Sequence, residues 1–294
     1  MDFLMKRFLR ILDVSSFAYA GLVNQHSFLE GDIVLTDDGY KAQIVPTGGV
    51  SLIFNIIAQH YHDSDFIFCC DRNATYKKEM LPSYKGTRNY NVNVESQKRV
   101  IERILEDCGF TVLYEDGFEA DDFIYTATRR FSKYYEHTYV YTGDSDLYLC
   151  VTDKVSIKKS ASRYKDVDIN NFYQQTGCAY NRLTYTKIIK GDRSDCIPPI
   201  NRQYAKIADQ FFAGTQYNHL MGDKVAFMYI CEQYLDFLLD QAKLVFPLDT
   251  WLPDEIKEGD PLRINSWGFA IRNKNYPEGN TLAIRDIISE IYLY

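Results

Sequence analysis

The chain of 294 residues is 46% hydrophobic and 25% charged, the balance of an ordinary globular protein of one large domain or two modest ones. Its 40 Asp and Glu against 33 Lys and Arg leave a net charge of −7, which taken alone argues against a nucleic-acid binder. No apolar stretch approaches the ~20 residues that cross a bilayer, and seven cysteines without C-x-x-C spacing exclude a disulfide framework and fit reduced thiols in a cytoplasmic protein.

The opening MDFLMKRFLRILD mixes basic and apolar residues but lacks a small-residue cleavage site, so RFLRILD reads as a strand ending at Asp13. TGGVSLIFNIIAQHY is a helix capped at Thr47, with Leu52, Ile53, Ile56 and Ile57 at helical spacing. DFIFCCD, too short for a helix, is a strand ending at Asp71. VESQKRVIERILEDCG is a second helix with Val100, Ile101, Ile104, Leu105 and Cys108 on one stripe and Gly109 as its stop. TVLY is a strand, GFEADD leads into a third helix, HTYVYTGDSD is a strand running into acids, and VSIKK is a further strand. Strands alternating with helices predict a mainly parallel sheet with helices on both faces. The last hundred residues read as helices, with a soft boundary near 190: a core of 1–190 and a helical region of 191–294. His60 and His62 show no metal-ligand spacing and read as surface residues.

Charge is unevenly placed. Residues 72–103 hold eight Lys or Arg against three Glu, and residues 154–165 hold five bases and no acid. The acids gather at element ends. Asp13, Asp71, Asp144 and Asp146 end strands, Glu119, Asp121 and Asp122 open a helix, and Asp192 and Asp195 close a helical pattern. Ligands of open α/β sheets bind outside the carboxyl ends of the strands. Two carboxylates ~4 Å apart repel by roughly 4 kcal/mol at an effective dielectric near 20, so a converging set must take up protons or cations. Oxygen-only donors suit Mg²⁺ or Mn²⁺, and a pair of such ions is suited to phosphodiester hydrolysis. On a regular helix Glu119 and Asp122 share a face and Asp121 does not; the limit relaxes if Glu119 precedes the helix.

The blocks ILDVSSFAY, TGGVSLIFNI, FCCDRN…LPSYKGTR, GFEADD, YTGDSDLYLCV and GDRSDCIPP follow one another as in the 5′-nuclease family. The resemblance covers about residues 8–200, and the length is most like that of the small bacteriophage 5′→3′ exonucleases. It implies a PIN-like α/β core with a helical arch at about 74–105. It also implies that Asp13, Asp71, Glu119 and Asp121 line one metal ion, while Asp122, Asp144, Asp146, Asp192 and Asp195 line or orient a second. Lys85 and Arg88 would contact the scissile phosphate, and Tyr84 would stack on a base of the frayed 5′ end. Arg72, Lys77 and Lys78, in the basic island, would help to bind the nucleic acid.

The family's glycine-bearing hairpin after GD-x-x-D is not matched. No glycine stands between Gly191 and Gly214, and Pro198 and Pro199 lack the N–H groups that a phosphate nest requires. Arg202 and Lys206 are candidate replacements. The expected function is thus a structure-specific, two-metal 5′-nuclease. It would act as a monomer on DNA or RNA–DNA ends and flaps in phage replication or repair, including primer removal, in the host cytoplasm, with no membrane association and with a replication protein as a candidate partner. The alternatives are a PIN-type metal-dependent ribonuclease and an inactive, nuclease-derived DNA-binding protein.

Overall fold

The computed structural model of the protein describes residues 7–23, 28–36, 39–72, 74–89, 91–159, 165–177, 183 and 191–199. In chain order the elements are β1 (Phe8–Asp13), α1 (Val14–Val23), β2 (Phe28–Thr36), β3 (Gly39–Pro46), α2 (Gly48–His60), β4 (Ser64–Cys69), α3 (Thr75–Met80), α4 (Val92–Asp107), β5 (Thr111–Leu113), α5 (Ala120–Phe131), β6 (His137–Tyr141), β7 (Val155–Lys158) and α6 (Phe172–Thr176). Five strands form a wholly parallel sheet in the order β5-β4-β1-β6-β7, and β2 pairs antiparallel with β3 in a separate hairpin.

The strands are near-continuous apolar runs because both faces of the sheet are covered. On one face Leu9, Ile11, Ile67, Val140 and Ile157 pack against Phe123, Ile124, Ala127 and Phe131 of α5. On the other, Leu12, Phe66 and Phe68 meet Phe17 of α1, Ile53 and Ile57 of α2, and Ile101 and Leu105 of α4. Burying one such side chain contributes roughly 1.5–3 kcal/mol, so the two clusters carry the fold.

Helices α1 and α2 touch backbone to backbone. A Cβ on Gly21 would stand 2.1 Å from Gly49 N, and one on Gly48 2.5 Å from Gly21 O, which explains the paired glycines of TGGV. Gln97 of α4, fully buried, closes this contact. Its Oε1 accepts from Gly49 N (2.6 Å) and its Nε2 donates to Ala18 O (2.8 Å).

The parallel sheet and the expected strands and helices of the core are present with shifted ends; Asp71, for instance, lies two residues beyond β4. Helix α1 and the β2–β3 hairpin were not anticipated. The basic stretch at 74–105 differs from a free-standing arch. Helix α3 has six residues and buries Lys77, and α4 buries Val94, Gln97, Ile101 and Leu105, so both helices of the stretch are packed against the body. The helices expected beyond residue 199, and Arg202 and Lys206, lie outside the described residues.

Candidate active site

From β1 the chain steps to β4 and then β5 on one side, and later crosses to β6 and β7 on the other. The reversal opens a crevice beyond the carboxyl ends of β1 and β6, where such sheets bind ligands. Asp13 ends β1 level with Cys69 of β4, and Leu12 stands opposite Tyr141 at the end of β6. Asp71, Asp144 and Asp146 follow these ends within a few residues, so the acids face one edge.

Hydroxyls bind the acids together. Thr142 Oγ1 donates to Asp13 Oδ2 at 2.8 Å and Ser16 Oγ to the same oxygen at 2.5 Å. Ser16 Oγ also accepts from Gly143 N at 2.8 Å, and Thr142 Oγ1 accepts from Asp144 N at 3.0 Å. The loop carrying Asp144 and Asp146 is therefore tied to β1 through Asp13. Asp71 accepts from Ser15 Oγ and, through Oδ1, from Ala120 N at 2.9 Å, which joins it to the start of α5. The Asp146 backbone N–H donates to Asp144 Oδ1 at 2.8 Å.

Glu119 is the N-cap of α5 and precedes the helix proper, so the limit on which faces the acids share does not apply. A capping box forms: Asp122 N donates back toward Glu119, and Glu119 N donates to Asp122 Oδ2 at 3.0 Å. Asp122 is fully buried and also accepts from Tyr76 OH at 3.1 Å. Its carboxylate is engaged in capping and by Tyr76.

Burial and then the neighbouring Asp71 push Asp13 up to about 6, against the Ser16 and Thr142 hydrogen bonds. Asp121 is pushed well above the usual carboxylate range by burial, Asp144 and Glu119, with Lys85 opposing. Glu119 behaves in the opposite way. Burial disfavours its charge, but Lys77 and Lys85 outweigh burial and hold it down at about 2. Lys77 Nζ lies 2.7 Å from Glu119 Oε2, and Lys85 Nζ pairs with Oε1. Tyr84 OH is 3.0 Å from Glu119 Oε2 and 3.1 Å from Asp195 Oδ2, and Arg88 Nη2 is 2.6 Å from Asp195 Oδ1. Lys85 adopts a left-handed backbone (φ 53°), with its N–H donated to Asp195 O at 3.1 Å.

The structure thus brings Asp13, Asp71, Glu119, Asp121 and Asp144 within electrostatic reach of one another, with Asp195 joined through Tyr84. Asp192 is turned into its own turn, where Oδ1 accepts from Ser194 N (2.8 Å) and Oγ (2.5 Å). Lys85 and Arg88 stand at the rim of the acid cluster, paired with Glu119 and Asp195. Tyr84 is 2% exposed, so its ring is buried beneath the rim and offers no face for base stacking. Lys77, 3% exposed, is likewise an internal counterion and not a nucleic-acid contact. Arg72 is held by Glu102 (2.5 Å) and lies over the Tyr114 ring (3.9 Å), while Lys78 is exposed. Ser16 and Thr142 were not foreseen; the hydroxyls after Asp13 and before GDSD were the available signal.

Among the described residues no three acidic, His or Cys side chains lie close enough to enclose one ion. The donors nonetheless fit a hard divalent cation. They are all oxygens, Asp13 and Asp121 are under-neutralised, and Mg²⁺ is commonly held by one or two carboxylates with water completing its shell.

A parallel sheet with helices on both faces and an acid cluster at its switch point defines a PIN-like nuclease core. The family model described as the 5′-3′ exonuclease N-terminal resolvase-like domain matches residues 9–177, more than half of the chain, and the protein belongs to that family. A 5′-3′ exonuclease of Bacillus subtilis is 32% identical over 164 residues, covering 53% of this chain and 55% of that protein. DNA polymerase I of Treponema pallidum is 27% identical over 206 residues, covering 66% of this chain and 19% of that one. The chain therefore spans about half, or less, of the length of these curated relatives. Among solved structures, a flap endonuclease of bacteriophage T5 in complex with DNA and metal ions is similar in fold, with a TM-score of 0.57, 18% identity, and coverage of 98% of this chain and 100% of that one.

Proposed function

We propose that the chain is a divalent-metal-dependent 5′-nuclease that hydrolyses phosphodiester bonds at 5′ ends and flaps of DNA or RNA–DNA. One observation carries the reading: Asp13 and Asp121, both short of compensating positive charge, lie with Asp71 and Asp144 beside the rim cations Lys85 and Arg88, at the switch point of the sheet. Two Mg²⁺ ions, for which Mn²⁺ substitutes, would neutralise developing charge and activate water there. Asp13, Asp71, Asp121 and Asp144 are the residues we assign to hold them, with Asp146, Asp192 and Asp195 arranged around the bound water. Lys85 and Arg88 would bind the scissile phosphate and stabilise its added charge. Ser16 and Thr142 keep Asp13 oriented and favour its ionised form. The protein is inferred to act as a monomer in replication or repair, including primer removal, in the cytoplasm of a phage-infected bacterium, with a replication protein as its partner.

The test is cleavage of a 5′-labelled flap duplex with Mg²⁺ or Mn²⁺, with and without chelator, for the wild type and Asp121→Asn. Metal-dependent release of 5′ fragments by the wild type, and its loss in the variant, supports the assignment. Cleavage of single-stranded RNA but of no flap or 5′ end would replace it with a ribonuclease, and binding without cleavage would leave a DNA-binding protein.

A further inference from the structure

The basic stretch at 154–165 takes no part in the site described so far. Its strand, β7, ends beside the loop that leaves β6: Lys158 stands opposite Tyr141, and Thr142 N donates to Lys158 O at 3.0 Å. Lys159 follows, level with Gly143 and one residue short of Asp144. The two ends of Gly143 face different ways. Its N–H donates to Ser16 Oγ on the β1 side (2.8 Å), and its C=O accepts from Lys159 Nζ on the β7 side (3.4 Å). Lys159 is held unlike its neighbours. Lys158 Nζ is paired with Asp166 (2.6 Å), Arg72 with Glu102 (2.5 Å) and Arg88 with Asp195 (2.6 Å). Lys159 Nζ meets the Gly143 carbonyl and lies 4.4 Å from the centroid of the Tyr148 ring, and among the described residues it is paired with no carboxylate. Of the acids around it, Asp166 is taken by Lys158 and by the Lys159 N–H (3.1 Å), and Asp144 faces Asp121.

We propose that Lys159 is a nucleic-acid contact that takes a backbone phosphate flanking the scissile one, on the β7 side of the crevice. A cation paired with a carboxylate must give up a charge-assisted bond to bind a phosphate. One that rests on a carbonyl and a ring gives up less, because both partners are neutral. Lysine meets phosphate as a point charge on a flexible stem. Here the stem lies against Tyr148 and the backbone is tied to Asp166, so the ammonium starts from a defined place. Lys85 is held at the start of α5, which Asp71 joins to the end of β4, whereas Lys159 lies beyond β7, and the sheet order sets these on opposite sides of β1 and β6. A strand laid across the acids thus meets a cation on each side. Lys159 supplies backbone grip in a chain whose Pro198 and Pro199 offer no N–H to a phosphate.

The inference rests on the nuclease reading, and the experiment separates the two. Anisotropy of a fluorescent 5′-flap duplex is titrated in chelator, from about 50 to 200 mM KCl, for wild type, Lys159→Ala, Lys159→Gln, Lys159→Arg and Lys158→Ala. Lys159→Ala and Lys159→Gln are each expected to weaken binding by roughly 3–10-fold and to lower the slope of log affinity against log salt by about 0.9, with Lys159→Arg keeping both. Lys158→Ala, whose ammonium is engaged by Asp166, should change neither. Glutamine keeps a donor for Gly143 O, so wild-type binding in Lys159→Gln would make the residue a brace for the loop and overturn the proposal. Unchanged binding in Lys159→Ala, or an equal loss in Lys158→Ala, overturns it too. Loss with a flapless duplex places the phosphate in the duplex, and loss with the free flap strand alone places it in the flap. Steady-state cleavage with Mg²⁺ should show KM raised by the same factor and kcat within about threefold of wild type; a lower kcat at unchanged KM counts against the contact. A wild type that cuts while Lys159→Ala binds normally overturns this inference alone, one that binds without cutting overturns the nuclease reading alone, and one that does neither overturns both.

Discussion

Removing divalent ions should make this protein more stable at pH 5 than at pH 7.5, and Asp13 should supply part of the difference. Asp13 is 5% exposed, and its folded-state pKa is raised from 3.8 to about 6 by burial and by Asp71. At ~1.36 kcal/mol per unit this disfavours the fold by about 3 kcal/mol at neutral pH. A raised folded-state value means that the folded protein binds the proton first, so the penalty is absent below the unfolded value and complete once pH has passed about 6. Going down from pH 7.5 to 5 returns roughly half of it, about 1.5 kcal/mol, or about 3–6 °C in Tm for a chain of this size. Asp121, raised for similar reasons, adds in the same direction. Glu119, held at about 2, does not interfere, because its contribution is lost only as pH falls below the usual carboxylate range. His60 and His137, both lowered first by burial, act in the opposite sense as pH falls through 6.5. The informative quantity is therefore the difference between wild type and Asp13→Asn. Thermal melts in chelator across this range should show a higher Tm for Asp13→Asn at pH 7.5, with the gap narrowing toward pH 5, and Mg²⁺ should raise the wild-type Tm at pH 7.5. A gap that is absent, or independent of pH, would refute the account of an electrostatically loaded Asp13.

Replacing the hydroxyls of Ser16 or Thr142, as Ser16→Ala or Thr142→Val, should raise the Mg²⁺ concentration needed for half-maximal Tm shift by about 10–100-fold, with Thr142→Ser restoring it. Gln97→Leu should leave Gly49 N–H unpaired where α1 meets α2, while Ala18 C=O keeps its bond within α1, and cost about 1–3 kcal/mol in urea unfolding. Arg72→Ala should change DNA affinity little, because the guanidinium is already engaged by Glu102 and Tyr114; fluorescence anisotropy with a flap duplex measures it.

The edge of the sheet was legible in the sequence because a strand that ends in an acid announces both its own end and the chemistry beyond it. RFLRILD, DFIFCCD and HTYVYTGDSD each show this. Helix α5 was legible from GFEADD, and the E-x-x-D spacing of Glu119 and Asp122 also encoded the capping box that opens it. Helix α1 was missed because VSSFAYAGLV is apolar or small almost all round and has no charged face to set a period. The β2–β3 hairpin was missed although Asp38-Gly39 between two strand-like runs is a turn signal. The burial of Tyr84 and Lys77 could not be read locally. Both depend on Glu119, 35 and 42 residues away, and a sequence shows a lysine without showing which carboxylate will enclose it.

The first turn of α5 points the positive end of its peptide dipoles into the crevice, a place where many proteins seat a phosphate. Here the vacancy is already filled from within: Asp71 takes the amide of Ala120, and Asp122 takes that of Glu119. With these amides engaged, capture of an incoming polyanion leans on side-chain cations, whose grip loosens as ionic strength rises.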